Sequence, residues 1–419
     1  MTRMTIKFLA MAMIVLTGTL LLQAQDMSSS LKITGQIRMR SEMDDRDFNG
    51  DTRANDFTLL RSRINFTGAF TDKIVAFVQL QDSRLFGGED TSGATGTLKN
   101  TANVDMRLGY VQINRLFWRG LNFKFGRMEF ARGSERLLGS NPWSNVSRAF
   151  DGGVLSLVFR RFQIDLMHVT LYESNRVENT TDGDQALSGM WTTARLSDLN
   201  VLELYALKDT DQQIDADARN KMERVTLGSR FKGKLGQMDI ESEFNWQTGT
   251  MNYSRDISAF YITQSFGYTL PTALKPNIKL AFDYLSGDKS DTDAYECFNT
   301  LYPATHRYFG YMDYFKDIPR HTRDLGLRDW MVMTKFELMK NLSLKLDGHY
   351  FQLAQVAVLE DGARSRHMGA EIDLTLDFTY RENVQFKLGG SVFLPDAVYD
   401  EWKGGDPSYW FFGQTTVDF

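Results

Sequence analysis

Between residues 57 and 81 the chain alternates apolar and polar side chains with a period of two. In the first of the two segments, one parity carries Leu60, Ser62, Ile64 and Phe66, and the other carries Arg61, Arg63 and Asn65. This period predicts β-strands, because successive side chains of a strand point to opposite faces. Residues 70–72 form a turn, and a second strand places Ile74, Ala76, Val78 and Leu80 on one face. Arginines opposite an apolar face indicate a transmembrane barrel, with lipid outside and water inside.

Alternating segments recur along the whole chain. They predict strands near residues 31–42, 56–69, 73–83, 103–114, 120–129, 152–160, 161–172, 189–197, 200–208, 222–233, 237–249, 257–269, 277–286, 330–340, 341–353, 366–379, 383–393 and 409–419. Eighteen is an even number, as single-chain bacterial barrels require. We therefore predict an all-β fold, a transmembrane antiparallel up-and-down β-barrel.

The connections between these strands alternate in length. Those after odd-numbered strands are long and are expected to face outward: 43–56, 84–102, 130–151, 173–188, 209–221 and 287–329. Those after even-numbered strands are tight, as at residues 70–72, 160–161 and 340–341. A soluble sandwich or propeller has no reason for this alternation. The segments 130–151 and 287–329 are the candidates for narrowing the channel from inside.

The amino terminus is typical of a signal peptide. Arg3 and Lys7 precede an apolar run from Phe8 to Leu22, which is short for a transmembrane helix. We predict a signal peptide at residues 1–25 and one barrel domain at 26–419, with an amino-terminal anchor helix as the alternative. Residues 26–30 are too few for a globular plug, so an energy-coupled receptor is not expected.

Composition and net charge add little to the predicted fold, but they exclude some classes of protein. The aromatic content of 13% suits the aromatic girdles of a membrane barrel. The net charge is -5, and removal of Arg3 and Lys7 takes it to -7, so no affinity for nucleic acid is implied. Cys297 is the single cysteine, and an internal disulfide is therefore impossible. The chain ends on a strand with a terminal Phe419, which resembles the carboxy-terminal signal of outer-membrane proteins.

The less apolar parity of each strand is assigned to the lumen. Cations cluster on the early strands, at Arg38, Arg40, Arg61, Arg63, Arg107 and Lys124. Acids lie on later strands, at Asp239, Glu241, Glu243, Asp347, Glu371 and Asp373, and Arg224 and Arg230 are expected to face the first three of them. A basic strip in a low-dielectric wall attracts anions, and guanidinium groups bind carboxylates in a bidentate manner. Pairing of lumen charges that serves only to keep them neutral is the alternative for each residue.

Signals for chemistry are weak. The five histidines, His168, His306, His321, His349 and His367, show neither metal-ligand spacing nor a nucleophile–base order. Asp288, Asp291 and Asp293 offer oxygen ligands but lack the full calcium-loop pattern, and a solvated acidic turn is the simpler interpretation. We therefore expect no enzyme activity, no cofactor and no resident metal.

Two loops carry a family resemblance. They read GRMEFARGSERLLGSNPWSNVSRAFDGG from Gly126 to Gly153 and SGDKSDTDAYECFNTLYPATHRYFGYMDYF from Ser286 to Phe315. Both resemble segments of the alginate export family of outer-membrane barrels. The resemblance implies an eighteen-stranded barrel in the outer membrane of a Gram-negative bacterium, which passes an anionic polymer through an arginine-lined pore narrowed by loops. By matching motif, it makes Arg127, Arg132, Arg136, Arg148 and Asp151 candidates for pore constriction or loop anchoring.

The motif residues also have a simpler interpretation. Trp143, Arg148 and Asp151 could serve only to pin the loop to the inner wall, and His306, Tyr308 and Tyr311 could be loop packing instead of a sugar-stacking platform. The leading hypothesis is a passive channel for anionic or polar oligosaccharides and small solutes. An outer-membrane lipase or deacylase would need an exposed Ser–His pair on the lipid-facing rim. A surface-binding barrel would show no conductance. A periplasmic partner is left open by the sequence.

Overall fold

The structure, a computed structural model, describes residues 30–86, 104–173, 184–212, 222–252 and 254–419. The predicted signal peptide, residues 1–25, and much of the predicted loops 84–102, 173–188 and 209–221 lie outside these ranges. The described residues form one antiparallel sheet of eighteen strands. None of their helices is long and apolar enough to span a bilayer.

The strands follow one another in chain order around the sheet. The first nine are β1 (Ser30–Asp45), β2 (Asn55–Ala69), β3 (Ile74–Leu85), β4 (Asp105–Ile113), β5 (Leu121–Met128), β6 (Phe150–Val158), β7 (Phe162–Tyr172), β8 (Gln185–Arg195) and β9 (Val201–Asp211). The others are β10 (Met222–Leu235), β11 (Met238–Met251), β12 (Arg255–Thr269), β13 (Asn277–Leu285), β14 (Leu327–Met339), β15 (Leu342–Val358), β16 (Arg364–Arg381), β17 (Val384–Pro395) and β18 (Ser408–Asp418). Every predicted strand is present.

The sheet closes on itself through its first and last strands. β1 pairs with β2 on one side and with β18 on the other, from Gln36 opposite Asp418 to Asp45 opposite Tyr409. The backbone amide of Gly35 donates to the Phe419 carbonyl at 2.6 Å, which extends this pairing to the last residue. Because each described strand has two neighbours, none of these eighteen strands lies at an open edge of the sheet.

Burial alternates along the strands as predicted. On β1, Ile33, Ile37 and Met39 are 59%, 45% and 43% exposed, whereas Arg38 and Arg40 are 4% and 3% exposed. On this strand the apolar side chains therefore face outward and the two arginines face inward. This is the pattern of a membrane barrel.

The connections match the predicted alternation with two exceptions. The turn between β2 and β3 is held by the Phe70 amide, which donates to the Ile74 carbonyl at 3.0 Å. The connections after β11 and β15, at 252–254 and 359–363, are short although they follow odd-numbered strands. After β15 the reason is strand length, because β15 and β16 run for 17 and 18 residues and extend the hairpin itself.

Two long loops fold into the barrel and build its core. They are the β5–β6 loop, residues 129–149, and the β13–β14 loop, residues 286–326, which contains a 3₁₀ turn (Thr305–Arg307) and the helix α1 (Ile318–His321). A third connection carries the helix α2 (Ala397–Trp402). Buried aromatic rings join the β13–β14 loop to α2, with Tyr314 and Tyr399 both packed on Phe48 at centroid distances of 4.9 and 5.4 Å. Protein from these loops thus occupies part of the lumen.

Candidate functional site

The β5–β6 and β13–β14 loops pair with each other inside the lumen. A short parallel bridge joins Leu138 to Tyr302. The Gly139 amide donates to the Tyr302 carbonyl at 2.8 Å, and the Tyr302 amide donates to the Leu137 carbonyl at 2.9 Å. The two loops therefore form one unit, and the contacts of each loop with the wall decide how firmly this unit is held.

Arginines of β1 and β2 hold the β5–β6 loop through its main chain. Arg38 donates to the Pro142 carbonyl at 2.8 Å, and Arg61 donates to the Pro142 and Ser144 carbonyls at 3.0 and 3.2 Å. Both side chains are only 4% exposed. These two predicted lumen cations thus lie on the inner wall, where they anchor a loop.

The next cations along the wall extend the same contact. Arg63 donates to the Ser147 hydroxyl at 2.9 Å and to the Gln81 side chain at 2.7 Å. Arg107 donates to the Val146 carbonyl at 3.2 Å and forms an ion pair with Glu129. The loop segment from residue 142 to residue 147 is therefore lined by guanidinium groups along one side.

Wall carboxylates hold the β13–β14 loop through its main-chain amide groups. Glu371 accepts a hydrogen bond from the Met312 amide at 2.8 Å, and Asp373 accepts one from the Tyr311 amide at 3.3 Å. A β-carbon on Gly310 would lie 2.4 Å from the Glu371 carboxylate, and Gly310 has a φ of +82°. Arginines thus bind carbonyl groups of one loop, and acids bind amide groups of the other.

Arg136 links the β5–β6 loop to the far wall. Its guanidinium lies 2.5 Å from the Asp283 carboxylate and 2.6 Å from the Tyr261 hydroxyl. Burial is the largest single influence and would lower the pKa of Arg136, but Asp283, Tyr261, Tyr308 and Glu243 together outweigh burial and raise that pKa well above its ordinary value. Arg136 is therefore a charged anchor, and Asp283 is a wall acid that the sequence analysis missed.

Aromatic rings stack where the two loops meet the wall. The guanidinium of Arg40 lies 3.8 Å from the ring centroid of Trp143, and Tyr311 stacks on His306 with centroids 5.0 Å apart. Trp143 in turn lies against His306. Arg40 also forms an ion pair with Glu42 at 2.7 Å.

A cavity of about 470 Å³ lies in the lumen beside this stack. Its lining combines cations, amides, hydroxyls and rings: Gln36, Arg38, Arg61, Pro142, Trp143, His306, Arg307, Tyr311, Lys345, Thr375, Gln385, Lys387, Phe412, Gln414 and Thr416. Five of these residues are Lys or Arg, and none is Asp or Glu. We call this space the luminal cavity.

The acids that pair with the cations of the luminal cavity are fewer than the cations. Lys345 and Lys387 share one carboxylate, that of Asp377, at 3.5 and 3.0 Å. Arg307 lies 2.6 Å from Glu135. Positive charge therefore exceeds negative charge around the cavity, which favours anions there.

Two further predicted cations, Lys124 and Arg132, lie in another part of the lumen. The ammonium group of Lys124 lies 3.9 Å from the Tyr110 ring centroid, and Arg132 lies 3.2 Å from the Asp165 carboxylate. Both line a separate pocket of about 230 Å³. The structure places them apart from Arg38 and Arg61, so the predicted strip is divided between two pockets.

Arg148 anchors one loop to the other. It donates to the Gly139 carbonyl at 3.2 Å and to the Pro303 carbonyl at 2.9 Å. Burial lowers the pKa of its guanidinium. This geometry favours the loop-pinning interpretation of Arg148 over contact with a solute.

Arg127 and Asp151, which the motif made candidates for pore constriction or loop anchoring, take neither position. Both residues lie on the outward parity of β5 and β6, where Arg127 pairs with Asp151 at 2.6 Å and both side chains are exposed. The neighbouring Met128 and Phe150 take the inward positions and are 1% and 4% exposed. Strand alternation thus overrides the role that the motif implied.

The expected charge pairing across β10 is half correct. Arg230 faces the acid Glu241 of β11 at 2.8 Å and also binds Glu203 of β9 at 2.5 Å. Arg224, by contrast, pairs with Asp209 of β9 at 3.4 Å. The register explains this difference, because Arg224 lies directly opposite Asp209 on one side and opposite a glycine on the other.

The acidic turn after β13 is occupied by protein contacts. Arg255 binds both oxygens of Asp288 at 2.9 and 2.8 Å, and the Glu296 amide also donates to that carboxylate. Asp291 and Asp293 lie in the exposed part of the same turn. Across the described ranges no group of three or more His, Cys, Asp or Glu side chains has the geometry to hold a metal ion.

Sequence reasoning did not single out the cavity residues Arg307, Lys387, Gln385 and Gln414. The strand residues among them lie on the inward parity of β17 and β18, so the alternation itself was a usable signal. Arg307 comes from the β13–β14 loop, and nothing in its local sequence indicates that it reaches the cavity.

Comparisons with known proteins agree with this architecture. The model of a family described as "Alginate export" matches residues 29–409. A comparison with curated proteins finds no match. Among solved structures, Pseudomonas aeruginosa OpdK with vanillate is similar at 11% identity and a TM-score of 0.60, over 93% of this chain and 98% of that chain.

Two other structures give the same result. Pseudomonas aeruginosa OccK11 (OpdR) has 10% identity and a TM-score of 0.59, over 93% of this chain and 96% of its own. Acinetobacter baumannii OccAB1 has 12% identity and a TM-score of 0.59, over 92% and 96%. At such low identity these similarities concern the fold alone.

Proposed function

Because the chain belongs to the alginate export family, we propose that it is a passive channel for anionic or polar oligosaccharides and small solutes. The protein is a porin-like barrel of the Gram-negative outer membrane. In this proposal it performs no chemistry. Its lipid-facing surface contacts the membrane, and the charges of its lumen select among solutes.

The luminal cavity is the observation that carries this proposal. Its five Lys and Arg residues and its amide and hydroxyl groups suit a solute with carboxylates and many hydroxyls. The rings of Trp143 and Tyr311 add apolar surface to this lining, although Arg40 and His306 already cover the two faces of Trp143. Vanillate, present with the structurally similar OpdK, is itself a carboxylate. We infer a preference for anions over cations of equal size.

Liposome swelling tests this preference directly. Glucuronate, glucose and glucosamine have similar sizes and carry negative, zero and positive charge. We expect purified barrel to pass glucuronate fastest and glucosamine slowest. The double variant K345Q/K387Q should bring the three rates together, because it removes two cavity cations. The matched variant K208Q/K289Q changes the same formal charge at exposed positions outside the cavity and should retain the wild-type order.

A lipase or deacylase is the second candidate, and one observation favours it. Nδ1 of His168 lies 2.7 Å from the Ser188 hydroxyl, and both residues face outward on β7 and β8. This is the exposed Ser–His pair that such an enzyme needs. Among the described residues, however, no carboxylate or amide hydrogen-bonds to the imidazole, and a triad requires such a group to orient its base.

Hydrolysis of a fluorogenic ester and of phospholipid in mixed micelles tests this candidate. Turnover that disappears in Ser188→Ala but persists in the nearby Ser156→Ala would establish it. Equal background rates in both variants would remove it. A surface-binding barrel, the third candidate, is separated from the channel by the swelling assay itself, since it would pass none of the three sugars.

A further inference from the structure

Arg38 and Arg61 lie directly opposite each other in the register of β1 and β2. Like charges in directly opposed positions of neighbouring strands destabilise a sheet. A third guanidinium, that of Arg63, follows two positions along β2 on the same inward parity. Arg38 and Arg61 are almost fully buried, so water neutralises their charge poorly.

These three arginines differ from the other wall arginines in their partners. In the described part of the chain, Arg40, Arg107 and Arg230 each form an ion pair with a carboxylate. Arg38, Arg61 and Arg63 have no carboxylate within 4.0 Å among those residues. Their acceptors there are neutral: the main-chain carbonyls of residues 142–144, amide oxygens of Asn145, Gln36 and Gln81, and the Ser147 hydroxyl.

The arginine site is open to a solute, and one of its hydrogen-bond donors has no acceptor within the described ranges. Both Arg38 and Arg61 line the luminal cavity. The Nε of Arg61 is buried and has no hydrogen-bond partner among the described residues. A carboxylate brings an opposite charge to a guanidinium and can accept two parallel hydrogen bonds from it, whereas a main-chain carbonyl brings no net charge. The arginines thus have a better acceptor than the loop carbonyls whenever an anion enters.

We propose that Arg38, Arg61 and Arg63 form an oxyanion site for carboxylated solutes, which the carbonyl groups of residues 142–144 occupy in the unliganded channel. A carboxylate that enters from the cavity displaces these carbonyls and loosens the 142–147 segment, which keeps its contacts with Arg40, Gln81, Ser83 and Arg107. This inference rests on the proposed channel function and adds a regulation to it, since the transported class of solute loosens the loop.

The loop has features that confine such a movement to one segment. Asn141 and Ser147, at its two ends, have φ values of 48° and 64°, and a strained backbone persists only while surrounding contacts hold it. The preceding part is held independently, because Arg136 already binds a carboxylate and Gly139 is hydrogen-bonded to Tyr302. Residues 135–139 should therefore stay in place when the 142–147 segment moves.

Amide hydrogen exchange of the full-length barrel, measured by mass spectrometry, tests this movement. The Arg148 amide, which donates to the Ser140 carbonyl at 2.8 Å, reports on closure of the segment. With glucuronate we expect exchange at residues 143–148 to rise about tenfold relative to equimolar glucose in NaCl of equal ionic strength. Exchange at residues 135–139 should not change.

Two double variants that remove the same number of charges distinguish binding at the arginine site from a general effect of protein charge. In R38Q/R61Q, residues 143–148 should exchange fast without ligand and show no response to glucuronate. R115Q/R127Q removes two cations that pair with acids outside the lumen and should respond like the wild type. Resistance of the folded barrel to SDS establishes that each variant is folded. If the double variant does not fold, Arg61→Gln alone takes its place and should reduce the response to glucuronate by at least half.

Two negative results have different meanings. Unchanged or slower exchange at residues 143–148 with glucuronate, in a barrel that passes glucuronate faster than glucosamine, would overturn the oxyanion site and leave the channel intact. Equal passage of the three sugars would overturn the proposed function itself.

Discussion

Trp143 of the β5–β6 loop and His306 of the β13–β14 loop stack with ring centroids 3.9 Å apart and planes inclined by 11°. These two residues are 163 positions apart in the chain, and each of their loops is held to a different wall of the barrel. The stack therefore connects the arginine-bound loop to the acid-bound loop.

Loss of this stack should loosen both loops together. We expect Trp143→Ala to lower the free energy of unfolding by about 3 kcal/mol, because it removes a packed ring and its stacking partners. Single-channel current noise should increase as well. The control is Trp118→Ala, which removes an exposed indole that packs on Phe159 outside the lumen. Equal effects of the two changes would contradict a special role for Trp143.

Gly310 offers a test of the acid-bound loop. Gly310→Ala places a methyl group against the Glu371 carboxylate and also requires a non-glycine residue at a φ of +82°. Gly362 has a nearly identical φ of +83°, but nothing lies within 4 Å of its added β-carbon. Gly362→Ala therefore measures the cost of conformation alone, about 1 kcal/mol.

We expect Gly310→Ala to cost more than this and to speed amide exchange at Tyr311 and Met312. The measurements are urea unfolding and hydrogen exchange of both variants. If the two glycine variants behave alike, the contact between the loop and Glu371 does not hold the loop.

Arg136 and Asp283 should behave as a coupled pair. Arg136→Gln leaves the Asp283 carboxylate buried without its partner, which typically costs about 3–5 kcal/mol. The double variant R136Q/D283N removes both charges and should recover most of that loss. Equilibrium unfolding of the two single variants and the double variant gives the coupling energy. Additive losses would show that the two residues act independently.

Asp313 makes the β13–β14 loop sensitive to acid. Its carboxylate lies 3.3 Å from Nδ1 of His306 and 3.7 Å from Nζ of Lys316. Burial would raise the pKa of Asp313, but these neighbours outweigh burial and hold the pKa below the ordinary value of 3.8. A depressed pKa stabilises the fold above the unfolded value, and this contribution is lost as the pH falls through the folded value.

The contribution of Asp313 to protection of residues 306–315 from amide exchange should therefore be lost only below about pH 4, once the intrinsic exchange rate is divided out. Exchange should rise below that pH in the wild type. Asp313→Asn has no carboxyl at this position, so its exchange should start higher and lack this acid-dependent step. A step of equal size in both proteins would assign the acid sensitivity to other groups.

Strand alternation made the barrel predictable from sequence. Ile33, Ile37 and Met39 alternate with Arg38 and Arg40 because one face meets lipid and the other does not, and this constraint acts at every strand. The same rule corrects the motif-based assignment of Arg127, which lies one position away from the inward parity. Local periodicity thus determines which way a strand side chain points.

The interior of the lumen was less predictable, because it depends on contacts between distant segments. Nothing local to Pro142 or Ser144 indicates that their carbonyls would meet Arg38 and Arg61. Arg307 and Lys387 reach one cavity from a loop and a strand about 80 residues apart. Loop placement is determined by packing inside the closed barrel, and alternation carries no information about it.

The most direct measurement is the reversal potential of single channels in a planar bilayer under a KCl gradient. The surplus of Lys and Arg around the luminal cavity predicts a chloride-to-potassium permeability ratio above one in the wild type, which falls toward one in K345Q/K387Q and is retained in K208Q/K289Q. A wild-type ratio of one or less, or an equal ratio in all three proteins, would contradict the assignment of solute selection to this cavity.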